Sequence, residues 1–156
     1  MDQKDILWSM YQEHCTHGRH HESLRATTTN LLLVIAAAAI AVMTRGETPL
    51  GLNNLPLALL LIPIGIFGAI FSAKYHERFE MHMERADGYR AAMLEGTSLV
   101  REIHEVAAKA DANTKKKHPW LFELRLYKLW ITLHFLVAGL GLTLTGIIIV
   151  RNWSRL

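Results

Sequence analysis

The fold depends on one stretch, Leu55 to Ala110, which reads LPLALLLIPIGIFGAIFSAKYHERFEMHMERADGYRAAMLEGTSLVREIHEVAAKA. No charged residue lies between Thr48 and Ala73, and an uncharged, apolar run of this length is typical of a transmembrane helix. From Lys74 onward Arg, Glu and His are frequent, but proline is absent and helix-forming residues continue. The stretch therefore predicts one continuous helix, about 80 Å long at 1.5 Å per residue, that begins in a membrane and ends in water.

Two more uncharged runs lie on either side of this stretch, at residues 26–44 and residues 129–150. Each is long enough to cross a bilayer core about 30 Å thick. Only helices and closed barrels can cross lipid, and these runs do not alternate as barrel strands do. The sequence predicts an all-α membrane protein with three transmembrane helices. The alternative is that these runs are buried helices of a soluble bundle.

The predicted helices divide the chain into six segments. These are a cytoplasmic amphipathic helix (1–25), a transmembrane hairpin (26–73), a cytoplasmic helix extending the second span (74–110), a linker (111–118), an interfacial segment with the third transmembrane helix (119–150) and a tail (151–156). The amphipathic helix has one face with three- and four-residue spacing, formed by Leu7, Met10, His14, His17, His21 and Leu24. We expect this helix to continue directly into the first span.

The distribution of Lys and Arg predicts the orientation in the membrane. The amino-terminal segment carries three basic residues, Lys4, Arg19 and Arg25. Residues 74–128 carry eleven, whereas the loop at 45–54 carries only Arg45. Because basic residues stay on the cytoplasmic side, both large polar segments should be cytoplasmic and the loop outside. Arg151 and Arg155 then lie outside, against the rule. The isoelectric point near 9.2 follows from this topology, so we expect no direct binding of nucleic acid.

Two local features bear on targeting and redox state. The first span follows a mostly polar segment, and no clear small-residue cleavage site comes after it, so we do not expect a signal peptide. Cys15 is the single cysteine, which excludes an internal disulfide.

The charged half of the long stretch has a seven-residue rhythm. One set of positions holds Phe79, Ala86, Met93, Val100 and Ala107, and the interleaved set holds Tyr75, His82, Tyr89, Gly96 and Ile103. These occupants are small or weakly apolar, which indicates packing on a neighbour rather than a strong isolated coiled coil. The neighbour is either the amino-terminal helix, running antiparallel, or the same surface of another subunit.

Small residues in the predicted spans mark surfaces where helices can approach closely. The candidates for helix packing are Ala36, Ala39, Gly139 and Gly141. Near the third span, aromatic residues mixed with charged ones resemble an interfacial belt, formed by Trp120, Phe122, Tyr127 and Trp130. A cluster at Lys115 to Lys117 would lie near anionic headgroups if the chain returns to the membrane there.

Nine histidines are many for this length, and five are candidate gating or partner contacts: His14, His17, His21, His82 and His134. His17 and His21 are one helical turn apart, which could present imidazoles to a metal ion. However, HExxH, zinc-type Cys/His spacing and Glu-x-x-His are all absent, so we assign no metal and no cofactor. The other interpretations are packing at a helix–helix contact, with hydrogen bonds to Glu77, Glu80, Glu84 or Asp87, and pH sensing.

His134 is the one ionisable residue inside a predicted span, which makes it a functional candidate. It is either a hydrogen-bonded packing residue or a pore or haem ligand. A haem held by two histidines would need a second membrane histidine, and no other span contains one. Phosphate-binding loops, nucleophile elbows and paired catalytic carboxylates are also missing, so we do not expect an enzyme.

The chain begins with a short aromatic and His/Arg-rich helix, LWSMYQEH at residues 7–14 leading through Arg19, His21 and Arg25, and continues with a tight hairpin of spans and a long charged helix. In this arrangement it resembles the SLATT domain family of small bacterial membrane proteins associated with antiviral defence. The resemblance covers residues 7–110, and the third span departs from the family's two-span core. It implies a multi-pass protein of the bacterial inner membrane that acts as a pore-forming or membrane-disrupting effector, or as the membrane accessory of a phage-defence system.

Three functional hypotheses follow. The first is an oligomeric inner-membrane effector that forms a pore or depolarises the membrane, with the lipid bilayer and further copies of the chain as partners. The second is a non-conducting anchor or adaptor, in which residues 74–128 recruit a cytoplasmic defence complex. The third is a metal- or haem-linked redox protein.

Overall fold

The computed structural model describes residues 2–45 and 50–153, apart from the side chain of Val100. Within these residues the chain is helical and contains no strand. A short 3₁₀ helix covers Leu52–Asn54, and the α-helices are α1 (Gln3–Thr44), α2 (Leu55–Met93), α3 (Leu99–Lys117), α4 (Pro119–Glu123) and α5 (Leu126–Arg151). The predicted all-α class is confirmed for this part of the chain.

Three of these helices, α1, α2 and α5, are long and apolar enough to cross a membrane, as expected of a membrane protein. Each contains one of the three predicted spans. The predicted amino-terminal helix and the first span form the single helix α1. The helix is continuous because residues 3–44 contain no proline, and the lone Gly18 weakens a helix without ending it.

The prediction of one continuous helix from Leu55 to Ala110 is wrong. Helix α2 ends at Met93, and α3 begins at Leu99 after a turn. Gly96 in this turn has φ of +78°, a left-handed conformation that glycine adopts without steric cost. The hydroxyl of Ser98 then donates a hydrogen bond to Oε1 of Glu102 at 3.0 Å, at the start of α3. Helix propensity did not reveal this break, because helix-forming residues continue on both sides of Gly96. One glycine followed by hydroxyl residues can nevertheless end one helix and start another.

The predicted linker at residues 111–118 is also largely helical, because α3 continues to Lys117. The segment contains no glycine or proline that would end the helix. Three lysines in its last turn stabilise the helix, because their positive charges interact favourably with the negative end of the helix dipole. His118 leaves the helical conformation because Pro119 follows it. Pro119 begins α4, as predicted from its preference for the first helical turn.

Two predicted segments are described only in part. In the loop at 45–54, residues 46–49 lie outside the described residues, and Asn54 donates from Nδ2 to the carbonyl oxygen of Met43 at 3.4 Å. In the tail at 151–156, residues 154–156 lie outside the described part, including the arginine predicted to face the outside.

The chain divides into two compact units. The polar unit combines Met1–Glu22 with Glu77–Leu126, and the apolar unit combines Ser23–His76 with Tyr127–Leu156. Helices α1 and α2 contribute residues to both.

Small residues allow close helix packing in the apolar unit. Its core contains Ala36, Ala39, Met43, Ala58, Leu61, Ile64 and Ile148. A Cβ atom added to Gly65 would lie 2.5 Å from the backbone nitrogen of Ala138 on α5. A Cβ atom added to Gly141 would lie 2.8 Å from Cβ of Leu61 on α2. The backbones of α2 and α5 are therefore in direct contact, which larger residues would prevent.

Candidate functional site

The polar unit is held together by contacts between the first part of α1 and the last part of α2. Gly18 faces α2, since a Cβ atom there would lie 3.0 Å from Sδ of Met83 and 3.6 Å from the ring of Phe79. Ala86, one of the seven-residue positions, is fully buried. The ring of His14 stacks on Tyr89, further along α2. The two helices are thus antiparallel here, and the α2 part of the seven-residue surface packs on the amino-terminal helix of its own chain.

Four imidazoles gather at this contact and form what we call the histidine cluster: His14, His17, His21 and His82. The ring of His82 lies at its centre, with centroid distances of 5.1 Å to His14, 5.2 Å to His17 and 5.3 Å to His21. Residues spaced three and four apart share one face of a helix, so the three α1 histidines can all reach the same α2 side chain. The structure thus brings together four of the five histidines selected from the sequence.

One hydrogen bond ties the cluster across the two helices. Nδ1 of His14 and Nδ1 of His82 lie 2.8 Å apart. A neutral imidazole has one N–H donor and one bare acceptor nitrogen, so this contact requires one Nδ1–H and one unprotonated Nδ1. If both rings were protonated, both Nδ1 atoms would be donors and the bond could not form. The hydrogen bond is therefore compatible with at most one protonated ring of the pair.

The surroundings of two rings of the cluster, His82 and His21, oppose their protonation. Burial lowers the pKa of His82, and the neighbouring His14, His21, His17 and Arg85 lower it further. Burial likewise lowers the pKa of His21, with smaller contributions from His20, Arg78 and His17. Desolvation and nearby positive charge both disfavour an imidazolium ion. The pKa shifts therefore favour the neutral form of both rings at neutral pH.

The hydrogen-bond partner of His14 is a second histidine, His82. One interpretation of the sequence placed a carboxylate of α2 opposite this residue. His17 lies 3.6 Å from a carboxylate of its own helix, Glu13. The sequence did not indicate a histidine–histidine pair, because the rotation of one helix against the other decides which side chains meet.

The rings of His17 and His21 are stacked on the ring of His82 rather than aimed at a common point. The planes of His17 and His21 are within 25° and 23° of the plane of His82. Lone pairs lie in the ring plane, so stacked imidazoles do not direct them at one ion. Among the described residues, no group of three or more His, Cys, Asp and Glu side chains has the geometry to hold a metal.

The fifth candidate, His134, lies in the apolar unit and is 1% exposed. Its Nε2 shares a hydrogen bond with Oγ1 of Thr29 on α1 at 3.2 Å. The ring of His134 lies directly against Gly68 on α2, in the groove that this glycine leaves. A Cβ atom added to Gly68 would lie 2.1 Å from Nδ1 of His134. His134 therefore joins three helices of this unit by packing and one hydrogen bond.

The residues that receive His134 were not selected from the sequence. Thr29 lay within a Thr-Thr-Thr-Asn run and Gly68 within an apolar run, and neither pattern points to a particular partner. The sequence signal that could have found them is a histidine in one span together with a hydroxyl residue and a glycine at the same membrane depth in the other two spans. Arg25 and Ser72 are also buried in this unit.

The four candidates for helix packing lie in two environments. Ala36 and Ala39 are buried in the core of the apolar unit, and Gly141 contacts α2. Gly139 lies elsewhere, since a Cβ atom added to it would meet no described atom within 4 Å. Together with Thr143 and Gly146, it forms an exposed face of α5 with four- and three-residue spacing, which we call the small-residue face.

Comparison of the chain with protein-family models, with curated proteins and with solved structures finds no match. The resemblance to the SLATT family stays a prediction from the sequence.

Proposed function

We propose that the chain is an oligomeric inner-membrane effector, or membrane accessory, of a bacterial antiphage defence system that acts by pore formation or depolarisation. The observation that carries this proposal is the small-residue face of α5, at Gly139, Thr143 and Gly146. Small residues spaced this way favour close helix association in lipid. The face has no partner among the described residues, so a second copy of the chain is its natural occupant.

An aqueous path requires several copies around an axis. One subunit with three spans cannot enclose such a path, and the side chain of His134 is buried between helices of its own chain. The small-residue face supplies the contact between copies in this proposal. The polar unit, on the cytoplasmic side by the positive-inside rule, supplies the gate. Protonation of His82 or His21 as the pH falls, or contact with a partner, alters the packing of α1 against α2.

The proposal is tested with full-length protein in liposomes that carry an ion gradient and a potential-sensitive dye. We expect depolarisation by the native chain at low pH or with its defence partner, and an oligomer in nanodiscs. Replacing Gly139 and Gly146 by isoleucine should abolish both. Leu140→Ile, a neighbouring exposed position on α5, is the matched control and should leave both unchanged. A protein that is monomeric and inert with and without its partner complex would contradict the proposal.

A second candidate is a non-conducting anchor or adaptor that recruits a cytoplasmic complex through residues 74–128. It is favoured by α3, whose Leu99, Ile103 and Val106 form an exposed apolar stripe. Such a stripe can receive an amphipathic partner. Under this alternative, deleting residues 76–110 removes a co-purified defence protein, and no ion flux accompanies binding. Val106→Glu should have the same effect, whereas Ala108→Glu, at an exposed position on the opposite side of α3, should not.

A further inference from the structure

We propose that residues 115–126, here called the α3–α4 corner, form a binding surface for the headgroups of anionic lipids. The occupant is the leaflet in which α5 begins. This inference does not depend on whether the protein conducts ions or recruits a partner.

The corner exposes large apolar side chains on a very short helix. Trp120 is 74% exposed, Leu121 56% and Phe122 42%. Burying such side chains away from water is favourable, because it removes apolar surface from the solvent. Contiguous exposed apolar groups usually mark an interaction site. Tryptophan in particular favours the boundary between headgroups and acyl chains, because its ring is apolar and its N–H is polar. The side chains of α4 therefore suit a lipid boundary.

Chain connectivity selects lipid over a distant protein partner. Helix α4 ends at Glu123, and α5, which is long and apolar enough to cross a membrane, begins at Leu126. Three residue steps separate these positions, so the chain spans at most about 10 Å between them. If α5 crosses the bilayer, α4 cannot leave the membrane surface. Its exposed apolar side chains then meet lipid first.

The charges of the corner complement an anionic surface. The last turn of α3 carries Lys115, Lys116 and Lys117, and Arg125 follows α4. Glu123 is the one carboxylate in residues 115–126, and its Oε1 lies 2.7 Å from Nζ of Lys115. The same ammonium group lies 5.9 Å from the ring centroid of Phe122. Basic groups beside a membrane span attract anionic headgroups within a Debye length.

Because Lys115 forms a salt bridge with Glu123, it has a different role from Lys116 and Lys117. Lys115 hydrogen-bonds Glu123 and thereby lowers the pKa of that carboxyl, so the carboxylate remains ionised and its charge is matched. The bridge also links α4 to the last turn of α3. Lys116 and Lys117, which are exposed, are left to bind headgroup phosphates. Lys115 is thus a structural residue, and the other two lysines carry the affinity for lipid.

The first test locates Trp120 in the full-length protein. With Trp8, Trp130 and Trp153 replaced by phenylalanine, Trp120 is the single indole. The protein is placed in nanodiscs of phosphatidylcholine and phosphatidylglycerol whose acyl chains are brominated near the headgroup. We expect strong quenching of Trp120 fluorescence. Absence of quenching in these discs would overturn the proposal, since the ring would then face water or protein.

The second test measures lipid selectivity with all tryptophans present, using spin-labelled phosphatidylglycerol and phosphatidylcholine in the same vesicles. The preference for the anionic lipid should fall about two- to fivefold for each of Lys116→Gln and Lys117→Gln. Lys109→Gln, on the same helix but away from the corner, should leave it unchanged. Glu123→Gln should raise it, because it removes the one negative charge. Equal selectivity in the native protein and in K116Q/K117Q would contradict the assignment.

Discussion

His14 on α1 and His82 on α2 share a hydrogen bond between their Nδ1 atoms, 2.8 Å apart, although 68 positions separate them in the chain. The bond exists only while at most one of the two rings is protonated. It lies beside the rings of His17 and His21, so any positive charge placed on one ring acts on the others. This arrangement links the packing of the polar unit to pH.

The polar unit should lose stability as pH falls below about 6.5, the ordinary pKa of histidine. The pKa values of His82 and His21 are lowered in the folded chain, so the unfolded chain takes up protons first. Stability is therefore fully present above pH 6.5 and is lost as the pH falls toward the folded-state pKa values. Thermal unfolding in nanodiscs at pH 7.5, 6.5 and 5.5 measures this effect.

Two variants isolate the source of this pH dependence. His82→Gln removes the central imidazole, so its stability should change much less between pH 7.5 and 5.5. His104→Gln, at an exposed position of α3, should keep the native pH profile. Stability of the native protein that does not change over this range would exclude a role for the cluster in pH sensing.

Gly68→Ala should lower the free energy of unfolding of the apolar unit by about 1–3 kcal/mol. The new methyl group would lie 2.1 Å from Nδ1 of His134, so the ring or the helix must move. Unfolding by denaturing detergent gives the change in free energy. Gly139→Ala is the contrasting variant: a Cβ atom there has open space, so alanine should not destabilise a single subunit and should raise its stability slightly, as at Gly88.

The same pair of residues provides a rescue experiment. If the clash is with the imidazole, His134→Ala should offset much of the cost of Gly68→Ala. Additive effects of the two substitutions would indicate that Gly68 is required for another reason.

Gly88→Ala should stabilise the polar unit by up to about 1 kcal/mol, because alanine forms helix more readily and a Cβ atom at this position meets nothing within 4 Å. Gly18→Ala should yield a smaller gain, since its methyl group would lie 3.0 Å from the flexible end of Met83. Thermal unfolding of both variants gives the comparison. A larger gain at Gly18 than at Gly88 would contradict this packing.

Gly96→Ala should destabilise the turn between α2 and α3 by about 1–2 kcal/mol, because a β-carbon is disfavoured at φ of +78°. Gly96→Asn should cost less, since asparagine tolerates the left-handed region. Hydrogen exchange of the amides around the turn should rise in the alanine variant. Unchanged exchange and stability would mean that this conformation is not required.

Much of the helical architecture could be predicted because its signals are local. The uncharged runs appear as the apolar parts of α1, α2 and α5, and the face containing His14 and His17 meets α2 as expected. The break at Gly96 was missed because a single glycine is a weak stop signal when helix formers continue on both sides. The helical state of residues 111–117 was missed because a polar composition was interpreted as a linker.

Sequence by itself determined which segments are helical and apolar, since both properties depend on neighbouring residues along the chain. Tertiary structure decided which side chains meet: His14 with His82, and His134 with Thr29 in the groove at Gly68. These contacts depend on the rotation and depth of one helix against another. Rotation and depth follow from packing over the whole interface, and a local pattern of residues does not contain that information.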